Sequence, residues 1–134
     1  MSHESFWLVM TTAMTGLMWI PYILDRVMVR GVMGAMANPS PADKPQSPWA
    51  QRLMAAHVNA VENLVIFAPL VLAAQDLNVN LATPTTTAAC QLFFYSRLAH
   101  AVVYTLGIPV LRTLAFLGGF IAQAMLVLAL FKLA

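Results

Sequence analysis

Four stretches of this chain, about 6–24, 51–74, 85–106 and 113–131, are each apolar and long enough for a helix to cross a lipid bilayer. Such a crossing takes about 20 mostly apolar residues. A hydrocarbon core offers no water to satisfy backbone N–H and C=O groups, so only helices and closed barrels can span it. The sequence therefore predicts an all-α integral membrane protein, a four-helix bundle running up-down-up-down. Only 9% of the residues are charged and the mean hydropathy is +0.76, whereas soluble domains use about 25% charged residues. The four runs fill the chain, so residues 1–134 are expected to form a single transmembrane domain.

The segments between the runs set topology. Ser2, His3 and Glu4 precede the first run where a signal peptide would be basic, and Pro21, Tyr22, Asp25 and Arg26 follow it, so it is read as a retained helix. From 31 to 49, Pro39, Pro41, Pro45 and Pro48 predict a loop at the membrane surface. A short turn is expected at about 75–84. A linker of about six residues makes the third and fourth helices antiparallel neighbours. In the fourth run, Ala115 with Gly119 and Gly118 with Ala122 sit four apart, the spacing that lets helix backbones approach closely. Arg26, Arg30, Lys44, Arg52 and Arg112 flank the loops of one side and Lys132 the other, which by the positive-inside rule puts both termini outside the cytoplasm. The net charge of +2 comes from scattered bases with no basic stripe, so no nucleic-acid partner is expected. Cys90 is the only cysteine, which excludes an intrachain disulfide and a cysteine zinc site.

Glu62, Arg97 and His100 interrupt otherwise apolar runs. A charge at the centre of a membrane helix costs roughly 2.5 to 3.5 kcal/mol on insertion scales, so Glu62 and Arg97 are expected to find each other, a bound ligand, or both. In the second run Arg52, Asn59, Glu62 and Asn63 fall at offsets of seven, ten and eleven, on one side of a helix; in the third, Arg97, His100 and Tyr104 fall at i, i+3 and i+7. With a rise of about 1.5 Å per residue, Glu62 and Arg97 lie roughly 12 and 13 Å from the basic ends of their helices, level in an antiparallel bundle. Asn59 and His100 make a shallower layer, with Tyr104, Arg112 and Arg30 nearer the surface, and the pattern predicts a cationic pocket opening towards the cytoplasm. A scaffolding reading stands beside it: buried ion pairs are often structural, His100 suits a core histidine, and Asn59 and Asn63 suit interhelical hydrogen bonding. His57 and Glu62, five residues apart, do not share a face, so no metal site is expected. The nine methionines read as packing or lipid-facing residues.

The segments RGVMGAMANPSP after the first run, AHVNAVENLVIFAPLVLAA in the second, and RLAHAVVYTLGIPVLRTLAF from the third into the fourth resemble the MAPEG family, the membrane-associated proteins in eicosanoid and glutathione metabolism. The likeness covers nearly the whole chain in the order of four helices. It implies a homotrimer embedded in the lipid bilayer, with glutathione as cofactor between neighbouring subunits near the cytoplasmic side and a lipophilic small-molecule substrate arriving from the membrane. By resemblance Arg30 meets a glutathione carboxylate, Asn59 and Glu62 hold the peptide backbone and amine, and His100 and Tyr104 line the cofactor. Arg112 stabilises the thiolate, with Tyr104 or Thr113 as hydrogen-bond donor. The catalytic set is thus Arg112, Tyr104 and Thr113, and the polar stripes add Arg52 and Arg97 to the residues that contact the cofactor.

The chain also departs from the family pattern. Ala55 and Val58 stand where glutathione-using members carry arginines; two charge-assisted contacts of roughly 1.5 to 3 kcal/mol each are missing from the anion clamp. Phe116 stands where some members have tyrosine, and the interval from Tyr104 to Arg112 is one residue shorter than in some animal members, so Arg112 is expected to present its guanidinium differently. The resemblance and the short chain imply a bacterial inner-membrane protein with glutathione transferase or peroxidase-like activity on lipophilic electrophiles. Two other classes compete: a non-catalytic lipid-binding or assembly protein, and a small proton-coupled transporter, although the first run lacks the glutamate that small multidrug exporters carry there.

Overall fold

The computed structural model describes residues 1–76 and 84–133, all of whose regular structure is helical. The turn expected at about 75–84 therefore lies largely outside the described residues. Helix α1 (His3–Leu17) starts at Ser2, whose hydroxyl accepts the Ser5 N–H and so satisfies one of the donors that a helix start leaves open. It passes almost directly into α2 (Trp19–Met36). The hydrogen-bond ladder breaks because Pro21 has no N–H for the Leu17 carbonyl, and the Met18 N–H turns to Thr15 O at 3.3 Å instead. The Met18 backbone stays right-handed helical, at φ −62° and ψ −21°, so α1 and α2 together make one span. Along it Thr11, Thr12 and Thr15 each donate a hydroxyl to the carbonyl four residues back at 2.8 Å, which hides their polar groups from lipid.

The loop expected from 31 begins later. Helix α2 breaks at Gly31, whose φ of +72° and ψ of 168° suit glycine alone, and continues to Met36. The remaining linker is strapped back onto α2: Asp25 accepts the Ser47 N–H at 3.0 Å, Arg26 donates to Gln46 Oε1 at 3.1 Å, and Gln46 donates to Tyr22 O at 2.7 Å. Pro48, which needs no N–H partner at a helix start, opens α3 (Pro48–Asp76). At about 1.5 Å per residue, a helix of 29 residues is longer than the roughly 30 Å hydrocarbon core and extends beyond it.

Helices α4 (Pro84–Leu106) and α5 (Pro109–Leu133) are joined by Gly107 and Ile108 alone. Gly107, at φ +78°, closes α4 with its N–H on Tyr104 O, while the Ile108 N–H reaches Val103 O, both at 3.0 Å. That pair of bonds is the Schellman ending, and Pro109 prevents the helix from continuing. Contacts pairing Arg97 with Gly119, Ser96 with Gly118 and Arg112 with Tyr104 run in opposite directions along the two helices, so α4 and α5 are antiparallel, as the short linker requires. Asn59 with Arg97 and Phe67 with Phe93 make α3 and α4 antiparallel too. Helix α1 runs parallel to α4, since Glu4 meets Thr86 and Trp7 packs on Phe94. The spans thus form the expected up-down-up-down bundle, with boundaries of 3–36, 48–76, 84–106 and 109–133. Three of these segments are long and apolar enough by length and composition to cross a membrane: His3–Met36, Pro48–Asp76 and Pro109–Lys132.

Two apolar clusters hold the bundle. One stacks Phe67 on Phe93, with ring centroids 3.9 Å apart, among Val71, Ala89, Cys90, Ala122 and Leu126. The other joins Met18, Leu53, Ala56 and Ala60, with Tyr22, Ala101 and Tyr104 against it. Between them α3 buries Asn63 and α4 buries Arg97, so the bundle has a polar layer between two apolar ones. At the far end from the linker, Glu4 is 1% exposed and accepts the hydroxyls of Thr86 and Thr87 at 3.0 and 2.9 Å, fastening the start of α1 to the start of α4.

Small residues permit the α4–α5 approach. A Cβ on Gly118 would lie 2.5 Å from Ser96 Oγ. Gly118→Ala should therefore lower thermal stability in detergent, by about 1 to 3 kcal/mol for an overpacked contact, and adding Ser96→Ala should restore most of the loss. A melting temperature unchanged by Gly118→Ala would show that the contact yields freely.

Candidate functional site

The polar layer begins with Arg97. Its side chain is 1% exposed, donates from Nη1 to Asn59 Oδ1 at 2.8 Å, and has no partner at Nε or Nη2 among the described residues. Phe116 lies beneath it, 5.5 Å from guanidinium carbon to ring centroid. On another side the backbone of Gly119 approaches so closely that an added Cβ would be 3.1 Å from Arg97 Nε. From Asn59 the network continues across helices: Asn63 Nδ2 donates to Asn59 O at 2.9 Å, and Gln123 Nε2 donates to Asn63 O at 3.2 Å. Arg97, Asn59, Asn63 and Gln123 thus tie α4, α3 and α5 together.

The expected pairing of Glu62 with Arg97 does not form within the protomer. Glu62 is exposed, and Arg97 is held by Asn59 instead. The reason is rotational. At about 100° per residue, Glu62 is turned roughly 160° from Ala60, which faces the core, while Asn63 sits on the core face. The stripe Arg52, Asn59, Glu62 and Asn63 spans an arc wide enough for one edge to be buried and the other to face outward.

Towards the linker end, an open cleft of about 260 Å³ is lined by Asn59, His100, Tyr104, Arg112, Thr113 and Phe116. Helices α3, α4 and α5 each contribute. His100 is 4% exposed and packs edge-on against Tyr104, at a centroid distance of 5.4 Å. Arg112 lies in the first turn of α5, and its guanidinium sits 4.5 Å over the Tyr104 ring, a cation–π contact that fixes the charge at the mouth of the cleft. Thr113 donates its hydroxyl proton to Pro109 O at 3.2 Å, leaving only oxygen lone pairs for anything in the cleft.

Five of the residues singled out from the sequence therefore converge on one space: Asn59, His100, Tyr104, Arg112 and Thr113. Arg97 is walled in behind Asn59. Arg30 and Arg52 are engaged elsewhere. Arg30 donates to Lys44 O at 2.8 Å and pairs with Asp43 at 3.3 Å, closing the linker onto α2. Arg52 donates from Nε to Thr105 O at 2.9 Å, satisfying a carbonyl at the C-terminus of α4 where positive charge is also favoured by the helix dipole. Sequence reasoning missed Gln123, although an amide in the middle of the most apolar run was a visible signal. It also passed over Glu4, whose partners are revealed only by the packing of α1 on α4.

This geometry, with polar groups drawn from the second, third and fourth spans towards one membrane end, coincides with a match to a family model. The family is described as MAPEG, and its model matches residues 6–132. The chain belongs to the MAPEG family. It is an integral membrane protein of a family whose members are membrane glutathione transferases and peroxidases or leukotriene synthases. Comparison with curated proteins and comparison with solved structures each give no match. In this MAPEG chain Arg52 ends a helix rather than lining the cleft. Arg52→Met should lower thermal stability by roughly 1.5 to 3 kcal/mol, the scale of a charged hydrogen bond. Unchanged melting of the purified variant would remove that role.

Proposed function

We propose that the protein is a membrane-bound glutathione-dependent transferase or peroxidase-like enzyme acting on lipophilic electrophiles, assembled as a homotrimer with the cleft completed by a neighbouring subunit. The carrying observation is the Arg112 guanidinium held 4.5 Å over Tyr104 at the mouth of a cleft that also contains His100 and Asn59. The donor set fits a peptide bearing carboxylates: among the described residues Arg112 forms no ion pair and the amide nitrogen of Asn59 has no partner. The cleft, at about 260 Å³, falls just short of the roughly 300 to 1,000 Å³ of ordinary ligand sites, which supports completion by a second subunit. Glu62 lies on the outward face of α3; a polar edge of this kind would be costly against lipid, so it is assigned to the subunit boundary and the glutathione amine. Arg30, which the resemblance gives to a glutathione carboxylate, pairs with Asp43 and donates to Lys44 O within the protomer, so it is not assigned to the ligand.

Glutathione, when bound, supplies a sulfur nucleophile for an electrophilic carbon or a peroxide oxygen. Arg112 would favour the ionised sulfur, because an adjacent guanidinium stabilises thiolate over thiol. Tyr104 would donate a hydrogen bond to it, since the Thr113 proton is committed to Pro109 O. His100 and Phe116 form the inner wall of the cleft. The basic residues cluster at the cleft end of the bundle, which by the positive-inside rule supports a cytoplasmic site with both termini outside the cytoplasm; the resemblance supports a bacterial inner membrane.

The test is a calorimetric glutathione titration in detergent, followed by turnover and thiolate absorbance in the ultraviolet. Arg112→Ala should reduce turnover by about 10²- to 10³-fold, as loss of a charge-stabilising donor does, while leaving the assembly intact. Equal activity would reject the role of Arg112. Absence of glutathione binding to the unaltered protein would reject the enzyme reading and favour the non-catalytic one, which the internal engagement of Arg30 and Arg52 also supports.

A further inference from the structure

We infer that Arg97 is a positioning residue that fixes the polarity of Asn59, so that the cleft is offered the amide nitrogen and selects a hydrogen-bond acceptor, a carboxylate or peptide carbonyl, at that point. This rests on the proposed glutathione site and deepens it. Arg97 does not line the cleft; it is 1% exposed and confined between Gly119 and Phe116. A guanidinium carries donors only. Whatever amide oxygen or nitrogen Asn59 presents to it at 2.8 Å must therefore be the oxygen, because the reverse orientation would set donor against donor. The second donor to that oxygen, Asn63 Nδ2 at 3.4 Å, reinforces the same choice. The nitrogen branches from the same planar carbon, has no partner among the described residues, and belongs to a side chain that borders the cleft. A buried guanidinium thus acts on a ligand it never touches, by determining whether its neighbour donates or accepts.

The orientation is read directly from side-chain amide signals of protein labelled with ¹⁵N-asparagine in detergent micelles, assigned by their loss in Asn59→Asp and Asn63→Asp. The Asn59 amide protons should exchange with water at least tenfold faster than those of Asn63, which are spent on the Asn59 carbonyl. Equal protection of the two would overturn the inference, and this readout needs no ligand. Glutathione titration then adds the consequence. Asn59→Asp replaces the donor facing the cleft with an acceptor yet gives Arg97 a counter-charge, so affinity should fall at least tenfold while melting temperature rises. Arg97→Met should lower affinity comparably, and Arg97→Lys, again a donor-only cation, should recover most of it. Full affinity in Asn59→Asp would overturn the inference. If the unaltered protein binds no glutathione, the enzyme reading falls and the exchange rates alone decide the orientation.

Discussion

The bundle is organised around one hydrogen bond, from the Arg97 guanidinium to the Asn59 amide oxygen. A cation at this depth costs roughly 2.5 to 3.5 kcal/mol even on lenient scales, and no carboxylate within the protomer neutralises it. The cost is offset by a polar layer that α3 and α5 build around it and by aromatic packing from Phe116. That layer dictates where glycine must stand in α5 and how closely α4 and α5 approach. It also anchors the floor of the cleft, because Asn59 belongs to both the layer and the cleft wall. Stability and recognition therefore share a residue, and a change made for one is felt by the other.

Charged residues in this chain divide their labour by depth. Near the linker end, Arg30 and Arg52 close chain terminations: one fastens the loop to α2, the other satisfies a carbonyl that α4 leaves open. Arg112, one turn into α5, is held by an aromatic ring instead of a carboxylate, which fixes its place without cancelling its charge. A guanidinium so held retains its attraction for an anion. Family membership agrees with this arrangement without specifying a reaction.

Much of the architecture was legible from composition and spacing. Four apolar runs give four helical segments, three of them long and apolar enough to cross a membrane, the short interval before Pro109 gives the antiparallel α4–α5 pair, and the small residues at 118, 119 and 122 are where the helices touch. The depth pattern also put Asn59, His100, Tyr104, Arg112 and Arg30 around one pocket; the first four line the cleft, while Arg30 is held by the linker. The rotation of α3 about its axis was not legible: periodicity places Asn59, Glu62 and Asn63 on a broad arc, but only packing by Ala60 and Phe67 decides which edge turns inward. Nor do residue patterns show backbone partners, so the engagement of Arg52 with Thr105 O, and of the Thr113 hydroxyl with Pro109 O, could not be anticipated. The extension of α2 past Gly31 was hidden because glycine followed by prolines reads as loop, while the segment before those prolines still completes helical turns.

The two-residue joint at Gly107 and Ile108 has a bearing on how such chains can vary in length. Its two amides are already used in closing α4, its Ile108 carbonyl accepts the Arg112 N–H at 3.1 Å, and Arg52 packs against it. One extra residue there would break the paired closing bonds and shift the opening turn of α5 against the end of α4, lifting Arg112 off its tyrosine. The strapped linker between α2 and α3 has no comparable gearing to the cleft. Insertions and deletions should accumulate in the linker, while the joint works as a ruler whose length sets the angular position of the guanidinium.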